Sequence, residues 1–159
     1  MSNFERMLRE WLEKNGFNCE LKYADEFAYD WAENCLHIGI GEIPDDVQKC
    51  FEQFLYEYGM EYIGFYAPML ALLHEIGHSK TVMCFNNEEL LGFMFAKFFI
   101  DSDMDPFDAN IAYWEIPDEF SANMWLIDFV NNHFDEVGVL CEIFNLYWDE
   151  FLEEVIDAA

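Results

Sequence analysis

The residues best equipped for chemistry in this chain are His74-Glu75-Ile76-Gly77-His78. In a helix, two histidines four residues apart lie on one face, one turn above the other, so both rings can reach one metal ion. Glu75 follows the first histidine and can address a water bound to that metal. Zinc suits such a set, because neutral imidazole is one of its preferred ligands and three protein ligands leave a position open. Water in that position ionises near neutrality and becomes a nucleophile able to attack a peptide carbonyl. The plain alternative is a capped helix end carrying two surface histidines. Context favours the metal: the motif closes the apolar run Phe65-Tyr66-Ala67-Pro68-Met69-Leu70-Ala71-Leu72-Leu73, which reads as a buried helix. Polar side chains at the end of such a helix are costly to bury unless something binds them.

A catalytic zinc needs a third ligand. In the extended three-histidine pattern a glycine and a histidine follow the motif, but here Thr81 and Cys84 stand at those positions. Cys84 could ligate as a thiolate, although the glycine turn is missing. The better candidate lies in Ile116-Pro117-Asp118-Glu119-Phe120-Ser121-Ala122-Asn123. Proline opens a helix there, and two acids fill a first turn whose dipole favours them. Glu119 and Asn123 share a face, so Glu119 can be the third ligand while Asn123 accepts a hydrogen bond from a ligating imidazole and fixes its tautomer. Alternatively, Asp118 and Glu119 merely cap the helix. Within the metal reading, Glu75 is the general base that deprotonates the water and later passes the proton to the leaving amine. Tyr113 and His133 are the candidate donors to the oxyanion.

HEIGH followed by Glu119-Phe120-Ser121-Ala122-Asn123 resembles the ImmA/IrrE-type metallopeptidases, whose pattern is H-E-x-x-H and then E-x-x-A-N on a later helix. The resemblance implies a zincin-like, gluzincin-like fold, with zinc held by His74, His78 and Glu119 and with Glu75 as base. It further implies a bacterial, phage or mobile-element setting and a DNA-binding repressor as substrate. It covers residues 65–130 and departs at Trp125 and Leu126, where the family usually has Phe-Ala.

The net charge of −26 is the other informative feature. From Phe98 to the end there are sixteen acidic residues and no lysine or arginine. Such a charge repels nucleic-acid phosphates and anionic membranes, which argues against direct nucleic-acid binding and for a basic partner. The acidic surface would then steer a basic protein substrate, such as a transcriptional repressor, to the zinc cleft. In an alternative reading the carboxylates imitate a phosphate backbone, and the protein is a non-enzymatic nucleic-acid mimic that inhibits a nucleic-acid-binding protein on a zincin scaffold. Plain solubility for a very aromatic chain is the third reading. Asp101-Ser102-Asp103-Met104-Asp105 lacks the glycine and terminal glutamate of an EF-hand, so calcium is not expected.

A chain of 159 residues is expected to form one domain, 1–159, with an acidic C-terminal helical part. The uncharged run over residues 62–73 is 12 residues long, whereas a membrane span needs about 20. No apolar signal segment opens the sequence, and the five cysteines form no C-x-x-C pair, so a cytoplasmic protein with reduced thiols is expected.

The elements that must position the site follow from periodicity. Residues 4–14 read as a helix; residues 17–24, 27–31 and 35–40 read as three short strands of an antiparallel meander, with His37 on a surface face. Residues 44–58 are helical, with Gly59 ending them. The motif helix follows, and then a helix capped by Asn86-Asn87-Glu88-Glu89 that buries Leu90, Leu91, Phe93, Met94 and Phe98. Residues 101–110 read as a loop and 111–114 as a short strand or extended cleft wall. Helices over 117–131 and 135–156 complete the chain. The expected fold is α+β, mainly helical, with a small antiparallel sheet near the N-terminus.

Overall fold

The computed structural model describes residues 1–100 and 103–158. Its elements are α1 (Asn3–Lys14), β1 (Glu20–Ala24), β2 (Ala28–Asp30), β3 (Cys35–Gly39), α2 (Asp45–Glu57), α3 (Ala67–Thr81), α4 (Asn87–Phe98), α5 (Pro106–Trp114), α6 (Pro117–Asn132) and α7 (Phe134–Ala158), with a short 3-10 turn after α3. The fold is α+β and mainly helical, as the periodicity predicts. Among the described residues no helix is long and apolar enough to cross a membrane.

Helix α3 runs through the centre. Met69, Leu70, Leu72, Leu73 and Ile76 are completely buried, so the helix is apolar on every side and must be wrapped by other elements. Its main partner is α6, which buries Ala122, Leu126, Ile127, Phe129 and Val130. At the crossing the two backbones come very close: a Cβ on Gly77 would lie 2.5 Å from the Ala122 carbonyl oxygen. Small residues at both positions permit this approach. Helices α1 and α7 close another side through Phe4, Phe144, Trp148 and Phe151, whose rings meet at centroid distances near 5 Å. Trp11 adds a hydrogen bond from its indole N–H to the Glu136 carbonyl, 2.9 Å long.

The sheet differs from an antiparallel meander. Its order is β1-β3-β2, with β1 parallel and β2 antiparallel to β3. Strand β3 takes the middle because Cys35, Leu36 and Ile38 can be buried on both faces, whereas β2 is only half-buried. The link from β1 to β2 therefore crosses the end of β3. Two glycines make room for it: a Cβ on Gly39 would meet the Phe27 nitrogen at 2.4 Å, and one on Gly41 the Asp25 oxygen at 2.5 Å. His37 sits in β3, paired with Lys22 and Ala28.

Two further expectations change. Residues 111–114 are not a strand; they complete α5, which starts at Pro106 with Asp105 as its cap, the side chain accepting from the Phe107 N–H. Four apolar residues cannot set a period, and the proline with its cap decides for helix. Helix α4 has the expected capping box, Asn86 with Glu89, but of its apolar residues only Leu90 is fully buried. Leu91, Met94, Phe95 and Phe98 face solvent. Asp101 and Ser102 of the acidic loop lie outside the described residues. All five cysteines are free thiols.

Candidate metal centre

The close α3–α6 crossing brings together three groups that the sequence places far apart. The His74 Nε2 lies 2.7 Å from Glu119 Oε2, the His78 Nε2 lies 3.0 Å from the same oxygen, and the two Nε2 atoms are 3.1 Å apart. His74, His78 and Glu119 thus form a cluster able to hold a metal ion. Two of the three are largely out of water: His74 is 8% exposed and Glu119 2%.

The protonation of His74 tests the fit. Its Nδ1 is 2.6 Å from the side-chain oxygen of Asn123. An amide oxygen only accepts, so Nδ1 carries the proton. A neutral His74 therefore turns a bare lone pair at Nε2 toward a carboxylate oxygen and a second imidazole nitrogen. That lone pair and the carboxylate oxygen, two acceptors 2.7 Å apart, repel unless a cation stands between them, either a proton or a metal ion. Ligand atoms about 2.0–2.1 Å from a tetrahedral zinc lie roughly 3.3 Å from one another, close to the spacing found. The donor set fits a metal.

In the metal-free state a proton takes the cation's role. Burial alone would depress His74, but the Glu119 charge and hydrogen bond outweigh it and push the imidazole up to about 9. Burial likewise opposes ionisation of Glu119, yet His74 and His78 hold its carboxyl far below the usual carboxylate range. Phe51 packs edge-on against the His74 ring and limits its rotation.

Glu75 stands beside the triad without joining it, its Oε1 3.9 Å from His74 Nε2. Burial pushes its carboxyl up, against the pull of the two imidazoles. The backbone N–H of Tyr29 on β2 adds a smaller pull in the same direction as the imidazoles. Two cavities of about 300 Å³ and 310 Å³ meet here, both bounded by Glu26, Phe27, Glu75 and Tyr113. The first continues between Val47, Phe51 and Trp114, and the second past His78 to Lys97. Glu75 therefore faces a cleft open on both sides.

The remaining candidates divide. Tyr113 reaches the site, where its hydroxyl donates to Glu119 Oε1 at 3.0 Å. Burial and the adjacent Glu119 charge push its pKa far up, so it stays a donor. His133 does not reach the site. It ends α6, fourteen positions after Glu119 or about 21 Å along the helix axis, and its ring stacks on Phe129 at 4.6 Å. Cys84 is exposed in the turn after α3, outside the cluster.

Sequence reasoning missed Lys97. From α4 its Nζ reaches Glu119 Oε1 at 2.7 Å and Asp118 Oδ2 at 2.8 Å. A signal existed: Lys97 is the only charged residue in the run Leu90-Leu91-Gly92-Phe93-Met94-Phe95-Ala96-Lys97-Phe98-Phe99-Ile100 and the last cation of the chain.

No protein-family model matches the chain, and comparison with curated proteins and with solved structures returns no match.

Proposed function

We propose that this chain is a zinc-dependent endopeptidase of the ImmA/IrrE type that acts on a basic protein, with DNA-binding regulators as first candidates. One observation carries the reading: an acid that is not a ligand, Glu75, stands 3.9 Å from His74 at the floor of a cleft. That spacing leaves room for a water between the acid and the metal position. Zinc, when bound by His74, His78 and Glu119, would supply a Lewis acid that polarises a carbonyl and makes that water acidic. The chain's own groups do the rest. Asn123 keeps the His74 proton on Nδ1, so Nε2 stays available as a ligand. Glu75 accepts a proton from the water and returns it to the leaving amine, and burial suits it to both roles by bringing its pKa closer to neutrality. Strand β2 walls the cleft where a peptide would lie extended. The carboxylates that give the chain its charge of −26 favour a cationic substrate.

The test is Glu75→Gln, assayed on a panel of basic DNA-binding proteins while bound zinc is measured. Cleavage should vanish, with zinc still near one equivalent per chain; His74→Ala should lose the metal itself. Cleavage that persists in Glu75→Gln rules the mechanism out.

Exposed carboxylates along α7, among them Glu142, Asp149, Glu150, Glu153, Glu154 and Asp157, favour a second reading, a nucleic-acid mimic that only blocks its partner. Inhibition that survives Glu75→Gln and chelation, but is lost when these residues are neutralised, would select it.

A further inference from the structure

We infer that Lys97, together with Tyr113, clamps Glu119 so that it offers a metal ion only one oxygen. This inference rests on the metal-centre reading and concerns how many coordination positions the protein leaves for substrate. The two oxygens of Glu119 are used differently. Oε2 faces the imidazoles of His74 and His78. Oε1 accepts from the Lys97 ammonium at 2.7 Å and from the Tyr113 hydroxyl at 3.0 Å. A carboxylate oxygen has two lone-pair sites, and both on Oε1 are taken. A metal drawing on Oε1 as well would have to displace one of these donors, and the lysine bond is strengthened by charge.

The clamp is itself held. Asp118 accepts from Lys97 at 2.8 Å through one oxygen and from the Glu119 backbone N–H at 2.9 Å through the other. The Lys97 Nζ also lies 5.4 Å from the centroid of the Tyr113 ring. Water competes little, since the side chains of Lys97 and Glu119 are 22% and 3% exposed. A lysine is an odd neighbour for a metal ligand if affinity alone matters, because its charge repels the metal and draws electron density from the carboxylate. Its presence makes sense if ligation by a single oxygen is what the site requires. Three ligand atoms, one from each residue, leave a position open, which a two-oxygen carboxylate would fill.

Cobalt in place of zinc reads this out without an activity assay, because four-coordinate cobalt absorbs visible light more strongly than five-coordinate cobalt. The Lys97→Met variant should lose about half or more of the wild-type absorption intensity as Glu119 turns both oxygens to the metal. Lys97→Arg should retain the intensity, since a cationic donor remains. Tyr113→Phe should shift it in the same direction by less, and it tests the clamp even if Lys97→Met folds poorly. If Lys97→Met and Tyr113→Phe keep the wild-type spectrum while only the melting temperature falls, the two residues merely anchor their helices and the inference is overturned with the metal centre intact. If the wild-type protein takes up no cobalt, the metal centre and the clamp fall together.

Discussion

His74 is the residue on which the chemistry of the site turns, and its proton makes a measurable claim. In the metal-free protein the imidazole titrates near 9, above its ordinary value of 6.5, because the Glu119 charge outweighs burial. A group whose pKa rises on folding stabilises the fold fully below its unfolded value, and that contribution disappears as pH climbs through the folded value. The metal-free protein should therefore lose melting temperature between about pH 6.5 and 9, and the zinc-loaded protein should not share this component. A metal ligand must be deprotonated, so zinc entering at pH 7 must expel this proton. Calorimetric titration of zinc into metal-free protein, in buffers of different ionisation enthalpy, should show about one proton released per zinc at pH 7, declining above pH 9. Release near zero at pH 7 would mean a neutral His74 and a different charge balance in the cluster.

Among the elements, the α3–α6 crossing sets the geometry, and two glycines test it against a control. Replacing a mid-helix glycine by alanine normally stabilises by roughly 0.5–1 kcal/mol. Gly92 of α4 has nothing within 4 Å of its missing Cβ and should behave in this way. Gly77 should do the opposite, since its Cβ would sit 2.5 Å from the Ala122 carbonyl oxygen, a backbone atom that cannot turn aside. Gly77→Ala should cost about 1–3 kcal/mol in denaturant unfolding and weaken metal binding, because pushing α6 away separates Glu119 from the histidines. Equal effects at the two positions would remove the crossing as the determinant of the site. The same elements show what a sequence reveals. His74, Glu75 and His78 are legible because a helix fixes their relation within one turn, and Glu119 with Asn123 for the same reason. Lys97 is not, because its reach to Glu119 depends on how α4 packs against α6. The sheet order escapes in a similar way: each strand is visible, but which one is central depends on what covers its two faces. Residues 111–114 are an apolar run too short to separate strand from helix. Helix α4 shows apolar periodicity on a face that the fold leaves in solvent, so periodicity located the helix and misjudged its burial.

For the whole molecule, the balance of 33 acidic against 7 basic residues sets up a competition between two electrostatic effects of opposite sign. Salt weakens attractive pairs, of which Arg6–Glu10 and Lys22–Glu33 are exposed and contribute little. Salt also screens the mutual repulsion of the carboxylates, which acts over the whole surface within a Debye length of about 10 Å at 0.1 M ionic strength. Repulsion dominates at this charge, so the melting temperature should rise between 10 and 200 mM sodium chloride in calorimetry. Helix α4 should be the most salt-sensitive part. It is held by one buried leucine, the half-buried Phe93 packed edge-on against Phe85, its capping box and the Lys97 contacts with Asp118 and Glu119, while Leu91, Met94, Phe95 and Phe98 contribute little to the core. The Lys97 pairs are mostly shielded from solvent and so lose less to salt than surface pairs do. Hydrogen exchange should then show α4 amides opening first at low salt and gaining protection as salt is added, well ahead of the buried amides of α3. A melting temperature that falls with salt, or α4 amides protected as strongly as those of α3 at low salt, would mean that the Lys97 contacts, and not carboxylate repulsion, govern the stability of this chain.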